Sequence, residues 1–209
     1  MMKLASEGYP YIIIFAATTI VALLLGGKWM VIVPFVITVF MVYFFRDPER
    51  KTPGGEGIFT APADGKIILI RDIFESDHLK KDSKQISIFM SPLNVHVNRA
   101  PCDGIVKTVK HTAGGFKAAY RDEASLTNEN IVMVIEGKQG SILVRQVAGF
   151  IARRAVCRAK VGDSLNRGQR YGIIKFSSRL DVYLPKETAI KVKSGDRVKA
   201  GETIIGVIK

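Results

Sequence analysis

Cysteine is nearly absent: Cys102 and Cys157 are the only two in 209 residues, and they form no CxxC pair. Two isolated thiols in a cytoplasm-facing chain imply no disulfide framework. Histidine is almost as scarce. His78, His96 and His111 are the only three, and their spacing is not that of a zinc site, so no metal is expected. Acidic residues are outnumbered, 19 against 31 Lys and Arg, for a formal net charge of +12. The balance implies a negatively charged partner, either nucleic acid or anionic lipid. No long amphipathic helix is legible after residue 50, which argues against a helical bundle.

What is present is unevenly spread. Tyr11 to Leu25 is almost wholly apolar, and Trp29 to Phe45 is apolar again, with Gly26, Gly27 and Lys28 between. Seventeen helical residues span about 26 Å, slightly short of a bilayer core of about 30 Å. The runs read as a tight membrane hairpin, as one longer span, or as a pair lying partly in the interface. No small-x-small cleavage site closes them, which argues against a signal peptide. Two successive runs without a polar stripe argue against a soluble core. Arg46, Arg50 and Lys51 follow at once, as a cytoplasmic flank would, while Lys28 in the turn weighs against full crossing. With such an anchor, the dispersed basic residues (Lys80-Lys81, Arg158, Lys160, Lys191, Lys193) fit anionic headgroups better than nucleic acid. The expected division is a membrane anchor over 1–50, with hydrophobic runs 11–25 and 29–45, and a β-rich domain over 51–209.

Pro48 and Pro53 disfavour further helix, and Gly54 to Gly57 reads as a connector. Short β-branched runs then dominate: 66–70, 85–90, 104–109, 131–135, 141–147, 171–176, 181–184 and 203–207. The spacing predicts a mainly β, compact sandwich or barrel-like domain. Two echoes recur. Pro62-Ala63-Asp64-Gly65 returns as Pro101-Cys102-Asp103-Gly104, each ahead of a strand-like run. The stretch Val161 to Gly168 (VGDSLNRG) returns as Ser194 to Gly201 (SGDRVKAG). The second echo resembles the turns of biotinyl and lipoyl carrier domains. The carrier lysine is missing, so the echo speaks for fold and not for a swinging cofactor.

Residue by residue, the chemistry is modest. Asp64 sits in a turn, where Asp is commonly structural. His96, in Met90-Ser91-Pro92-Leu93-Asn94-Val95-His96-Val97-Asn98-Arg99, is a side chain able to move protons near neutral pH, or a satisfied core histidine. His111 reads as a loop residue and His78 as solvated surface. Ser177-Ser178 is a polar step inside a strand-like stretch, YGIIKFSSRLDVYLP.

Together these stretches resemble the short-form phosphatidylserine decarboxylase proenzymes, over nearly the whole length. The resemblance covers Glu7-Gly8-Tyr9-Pro10, Phe44-Phe45-Arg46-Asp47-Pro48, the Asp64 turn, the His96 motif, Asn128-Glu129-Asn130, and Phe176 to Pro185. It implies a self-processed pyruvoyl enzyme. Ser178 would attack the Ser177 carbonyl, and elimination would release 1–177 as the β chain and leave a pyruvoyl group at the start of the α chain, 178–209. That group would form a Schiff base with the serine headgroup and release carbon dioxide. By the same resemblance an Asp–His pair is the base for cleavage, with Asp64 at the Asp position and His96, His111 or another arrangement as its partner; His96 is the candidate proton donor, His111 a supporting residue, and Arg99 or Arg179 the phosphate ligand.

Two departures stand out. The family pattern at the cleavage site is Gly-Ser, and serine at 177 has less backbone freedom than glycine. Long forms carry H-x-x-H, of which His96 matches the first position and Arg99 replaces the second; arginine is no base near pH 7. Other readings are a processing-defective lipid-binding relative or unprocessed precursor, a decarboxylase of archaeal-type serine lipids, and a carrier-like membrane adaptor. Homo-oligomers are compatible with these features, and no pattern fixes a state.

Overall fold

The computed structural model describes residues 3–115, 128–149, 154–176 and 178–208. It divides into two compact units, Met1–Glu49 and Arg50–Lys209.

The first unit is a helical hairpin. Strand β1 (Lys3–Leu4) leads through a 3-10 turn, Ser6–Gly8, into α1 (Tyr9–Leu24); α2 (Lys28–Phe44) returns and runs into β2 (Arg46–Asp47). Strands β1 and β2 pair, and the Ala5 N–H donates to the Phe45 carbonyl at 2.8 Å, so the Glu7-Gly8 and Arg46-Asp47 motifs meet at the open end. The helices leave apolar side chains outside: Leu24 is 79% and Trp29 84% exposed. Their hydroxyls turn inward to the backbone. Thr18, Thr19 and Thr38 donate to carbonyls four residues earlier, and Thr19 and Thr38 face each other at 3.4 Å. Apolar surroundings demand such internal satisfaction. Ser6–Leu24 is long and apolar enough to cross a membrane, whereas Trp29–Phe44 is shorter.

The second unit is mainly β. In chain order its strands are β3 (Ile58–Thr60), β4 (Gly65–Glu75), β5 (Lys81–Met90), β6 (Val97–Arg99), β7 (Gly104–Thr112), β8 (Asn130–Gly137), β9 (Gly140–Ala148), β10 (Ala155–Cys157), β11 (Ser164–Leu165), β12 (Arg170–Ile174), β13 (Ser178–Pro185), β14 (Ala189–Ile190), β15 (Arg197–Val198) and β16 (Ile204–Val207). Eight form one curled antiparallel sheet, ordered β11-β7-β8-β9-β13-β5-β4-β15. Two three-stranded sheets, β10-β12-β6 and β14-β16-β3, accompany it. Strand β13 is central, laced to β5 from Ser178↔Met90 to Pro185↔Ser83 and to β9 from Ser178↔Ala148 to Tyr183↔Leu143.

Side chains alternate across a strand. Leu180, Val182 and Leu184 of β13, with Ile86, Ile88 and Met90 of β5, enter the main core, which continues through Phe59, Tyr171 and Ile174. The opposite face carries a smaller cluster, Val132, Val134, Leu143 and Tyr183. Each predicted β run overlaps a strand, though 171–176 overruns β12 by Lys175 and Phe176. The two- and three-residue strands were not legible, because so short a run carries no periodicity.

Candidate active site

Ser178 is the first residue of β13, fully buried on the core face, with its hydroxyl 3.4 Å from Met90 Sδ. A strand pinned on both sides fixes its Cα. Two residues earlier, Phe176 adopts φ +56°, a conformation sterically costly for a bulky side chain. Ser177, the expected cleavage partner, lies outside the described residues.

The His96 loop closes over the same face. Asn94 Oδ1 accepts the Ser91 N–H at 2.9 Å and the Ser91 hydroxyl at 2.8 Å. His96 is fully buried, and its Nδ1 lies 3.0 Å from the Asn94 carbonyl. A carbonyl only accepts, so Nδ1 carries the proton in this contact. Two residues on, Asn98 Nδ2 is 3.9 Å from the Met90 Sδ that also neighbours Ser178. Gln146 Nε2 donates to Asn98 Oδ1 at 2.8 Å, while Gln146 Oε1 is buried with no hydrogen-bond partner among the described residues. Asn128 Nδ2 donates at 2.7 Å to the carbonyl of Ala148, the cross-strand neighbour of Ser178. Sequence reasoning gave no role to Asn98 or Asn128 and missed Gln146. Alternation along β9 could have placed Gln146 on the core face, but not against β6.

Asp64 precedes β4. Its Oδ1 accepts the Ala200 N–H at 2.8 Å, and its Oδ2 takes Arg50 Nη2 at 2.7 Å, in a pair with both side chains almost buried. Arg50 also reaches Glu202 at 3.3 Å. Arg99 belongs to this corner: its N–H donates to the Pro62 carbonyl at 2.9 Å and its Nη1 to the Gly168 carbonyl at 2.9 Å. Strand β4 lies two places from β13, about 10 Å at the usual strand spacing. Met90 Sδ thus links Ser178 and Asn98 on the core side, with His96 two residues before Asn98, while Asp64 and Arg99 belong to the corner just described.

The other two residues stand apart. His111 lies on β7, three strand spacings or about 14 Å from β13, and its Nε2 is 3.2 Å from Glu129. Arg179 points to the face opposite Ser178. It is fully buried, with Nε 2.6 Å from Asp181 Oδ1 and Nη2 2.8 Å from Ser87 Oγ.

The second echo explains part of Asp64. Asp163 and Asp196 each accept the N–H three residues earlier, at 2.8 and 2.9 Å. Gly162 and Gly195 precede them at φ +94° and +98°. Asp103 then accepts the Arg167 N–H at 2.7 Å as Asp64 accepts that of Ala200, and Gly168 and Gly201 donate to Ala100 and Ala61, both at 2.8 Å. Each Asp-Gly turn of the first echo is thus buckled to one turn of the second. The extra feature at Asp64 is its buried Arg50.

Cys102 is also buried beside this frame; desolvation, and then the Asp103 charge, pushes its thiol up to about 12. Among the described residues no group of three or more His, Cys, Asp or Glu is arranged to hold a metal.

The phosphatidylserine decarboxylase family model matches residues 37–206. A phosphatidylserine decarboxylase proenzyme of Citrifermentans bemidjiense is 50% identical, covering 98% of this chain and 96% of its own length. Proenzymes of the same name from Geotalea uraniireducens and Syntrophus aciditrophicus are 47% and 44% identical, with 98% and 97% of this chain and 96% of each relative covered.

Proposed function

The chain belongs to the phosphatidylserine decarboxylase family, and from that premise we propose that it converts phosphatidylserine to phosphatidylethanolamine and carbon dioxide after cleaving itself between Ser177 and Ser178. The observation that carries this reading is the position of Ser178: a buried serine at the head of the central strand, two residues after a strained Phe176.

The Ser178 hydroxyl attacks the carbonyl carbon of residue 177, and the peptide nitrogen leaves it, so an ester replaces the amide. Loss of the Ser178 α proton with cleavage of its Cβ–O bond releases residues 1–177 with a carboxylate end. The dehydroalanine at 178 tautomerises, takes up water and loses ammonia. A base is needed at the first step. An Asp–His pair is assigned that role, Asp64 acting through a histidine, with Arg50 holding its carboxylate in place. The surroundings of Ser178 fit a small group there: Ser178 and its cross-strand neighbours Met90 and Ala148 are fully buried. A pyruvoyl group at 178 supplies an electron sink for loss of the carboxylate. His96 Nε2 returns a proton to the substrate α carbon, its ring fixed through Nδ1 by Asn94. Arg99 is assigned to the substrate phosphate side. Arg179 and His111 are assigned supporting roles, Arg179 by holding the head of β13 and His111 through Glu129.

Residues 178–209 stay with 1–177 as α and β chains because β13 is paired on both edges and β16 pairs with β3. The hairpin, over 1–50, holds the enzyme at the cell membrane, with residues 51–209 on the cytoplasmic side, as Arg46, Arg50 and Lys51 favour. Substrate stays in the bilayer while its headgroup is read.

Intact-mass measurement on the denatured protein tests this. Two fragments are expected, the smaller starting at 178 with a carbonyl in place of its amine. Ser178→Ala should leave one chain and no activity, and activity retained in that variant would sink the reading. Ser177→Gly should speed cleavage.

A further inference from the structure

A groove of about 510 Å³ opens on the sheet face opposite Ser178. Arg145 and Val132 are buried and form its floor, with Asn130; Lys110 and Thr112 rise on one side and the Ser76-Asp77-His78 turn on the other. The register explains the grouping. Lys110, Val132, Arg145 and Asp181 form one cross-strand row, and Thr112 and Asn130 belong to the next row on the same face.

Arg145 is 7% exposed, and its Nε has no hydrogen-bond partner among the described residues. Its other contacts are long: Nη1 is 3.5 Å from the Tyr183 hydroxyl and Nη2 3.8 Å from Glu75 Oε1. Its Cζ lies 5.6 Å from the Tyr183 ring centroid, and the nearby acids are shared, Glu75 reaching it only through the long Oε1 pair. Glu75 Oε2 accepts the N–H groups of His78 and Leu79 at 2.9 and 2.6 Å, and Asp181 is held by Arg179 at 2.6 Å. Asp77, on the rim, accepts the Ser76 hydroxyl at 3.1 Å and is exposed. A buried guanidinium so loosely held is costly unless something completes it.

We propose that this groove binds a phosphate-type oxyanion, with Arg145 as the buried contact and Lys110 and His78 as rim donors. Donors approach from the floor and from both walls, which suits a tetrahedral group better than a planar carboxylate, and charge-assisted bonds of this kind are the strong ones. The phosphate is either that of a lipid headgroup or free in solution. The site is separate from Ser178, and the proposal stands or falls independently of the decarboxylase reading.

The test follows the Arg145 Nε–H resonance in the full-length protein as purified in maltoside micelles, assigned through Arg145→Lys. Inorganic phosphate should shift it saturably, and Lys110→Gln, an exposed change that spares the fold, should weaken that binding about tenfold. A shift on doping the micelles with phosphatidylglycerol, reversed by phosphate, would identify the lipid as the source; a shift with phosphate alone would identify a soluble anion. A resonance that responds to neither would overturn the proposal. So would one that responds only to protein concentration, because a second copy of the chain would then cover the groove.

Discussion

Phe176 holds φ +56° two residues before the proposed nucleophile. Such a conformation costs on the order of 1–3 kcal/mol and persists only where the surroundings impose it. Glycine adopts it without that cost. Phe176→Gly is therefore expected to stabilise the uncleaved precursor by about 1 kcal/mol and to slow self-cleavage, measured as the half-time of appearance of the 178–209 fragment; faster cleavage would show that strain at 176 does not assist the reaction. Of the residues named from sequence, Ser178 and His96 are both fully buried, and Asp64 is committed to Ala200 and Arg50. The identity of a residue reveals its chemistry. Its partners come from positions up to 136 residues away and have no local signal.

At the scale of elements, the paired motifs turn out to be one joint used twice. Gly65 and Gly104 open strands β4 and β7, where a Cβ would lie 2.2 Å from the Phe89 carbonyl and 2.5 Å from the Glu136 carbonyl. The reason for glycine there is close approach to the next strand and not backbone strain, since neither residue has positive φ. Gly65→Ala must push β4 from β5 and carry Asp64 with it. We expect a loss of about 1–3 kcal/mol, as for overpacking, together with slowed cleavage. Gly104→Ala should cost similar stability and leave cleavage rate unchanged, because its turn carries Asp103 and not Asp64. Denaturant midpoints and cleavage half-times for the pair separate a fold effect from a site effect. The hairpin was legible as two apolar runs because apolar length needs no partner to be read, whereas the meeting of its Glu7-Gly8 and Arg46-Asp47 ends was not.

At the scale of the whole molecule, burial sets an alkaline limit. Desolvation pushes Cys102 from 9.0 to about 12 and Tyr183 from 10.0 to about 12, and raises Tyr171 well above 10.0. These groups keep their protons in the folded state after the unfolded chain has lost them. Their stabilising contribution is thus whole below pH 9.0 and is lost as pH rises toward about 12. Urea midpoints should fall steadily across that window, and Cys102→Ala should flatten its lower end; a midpoint constant through it would contradict the burial of these groups. By itself the sequence determined the mainly β class and the two apolar runs, because alternation and apolar length are local properties, while the serine and histidine of the proposed chemistry were named by the family resemblance. Only the tertiary structure decided which side of the central strand carries Ser178 and which carries Arg179, that Asp64 and Asp103 buckle equivalent turns, and that Arg145 lines a polar groove behind the site. Register between strands distant in sequence decides each of these, and a shift of one residue would send every side chain to the other face.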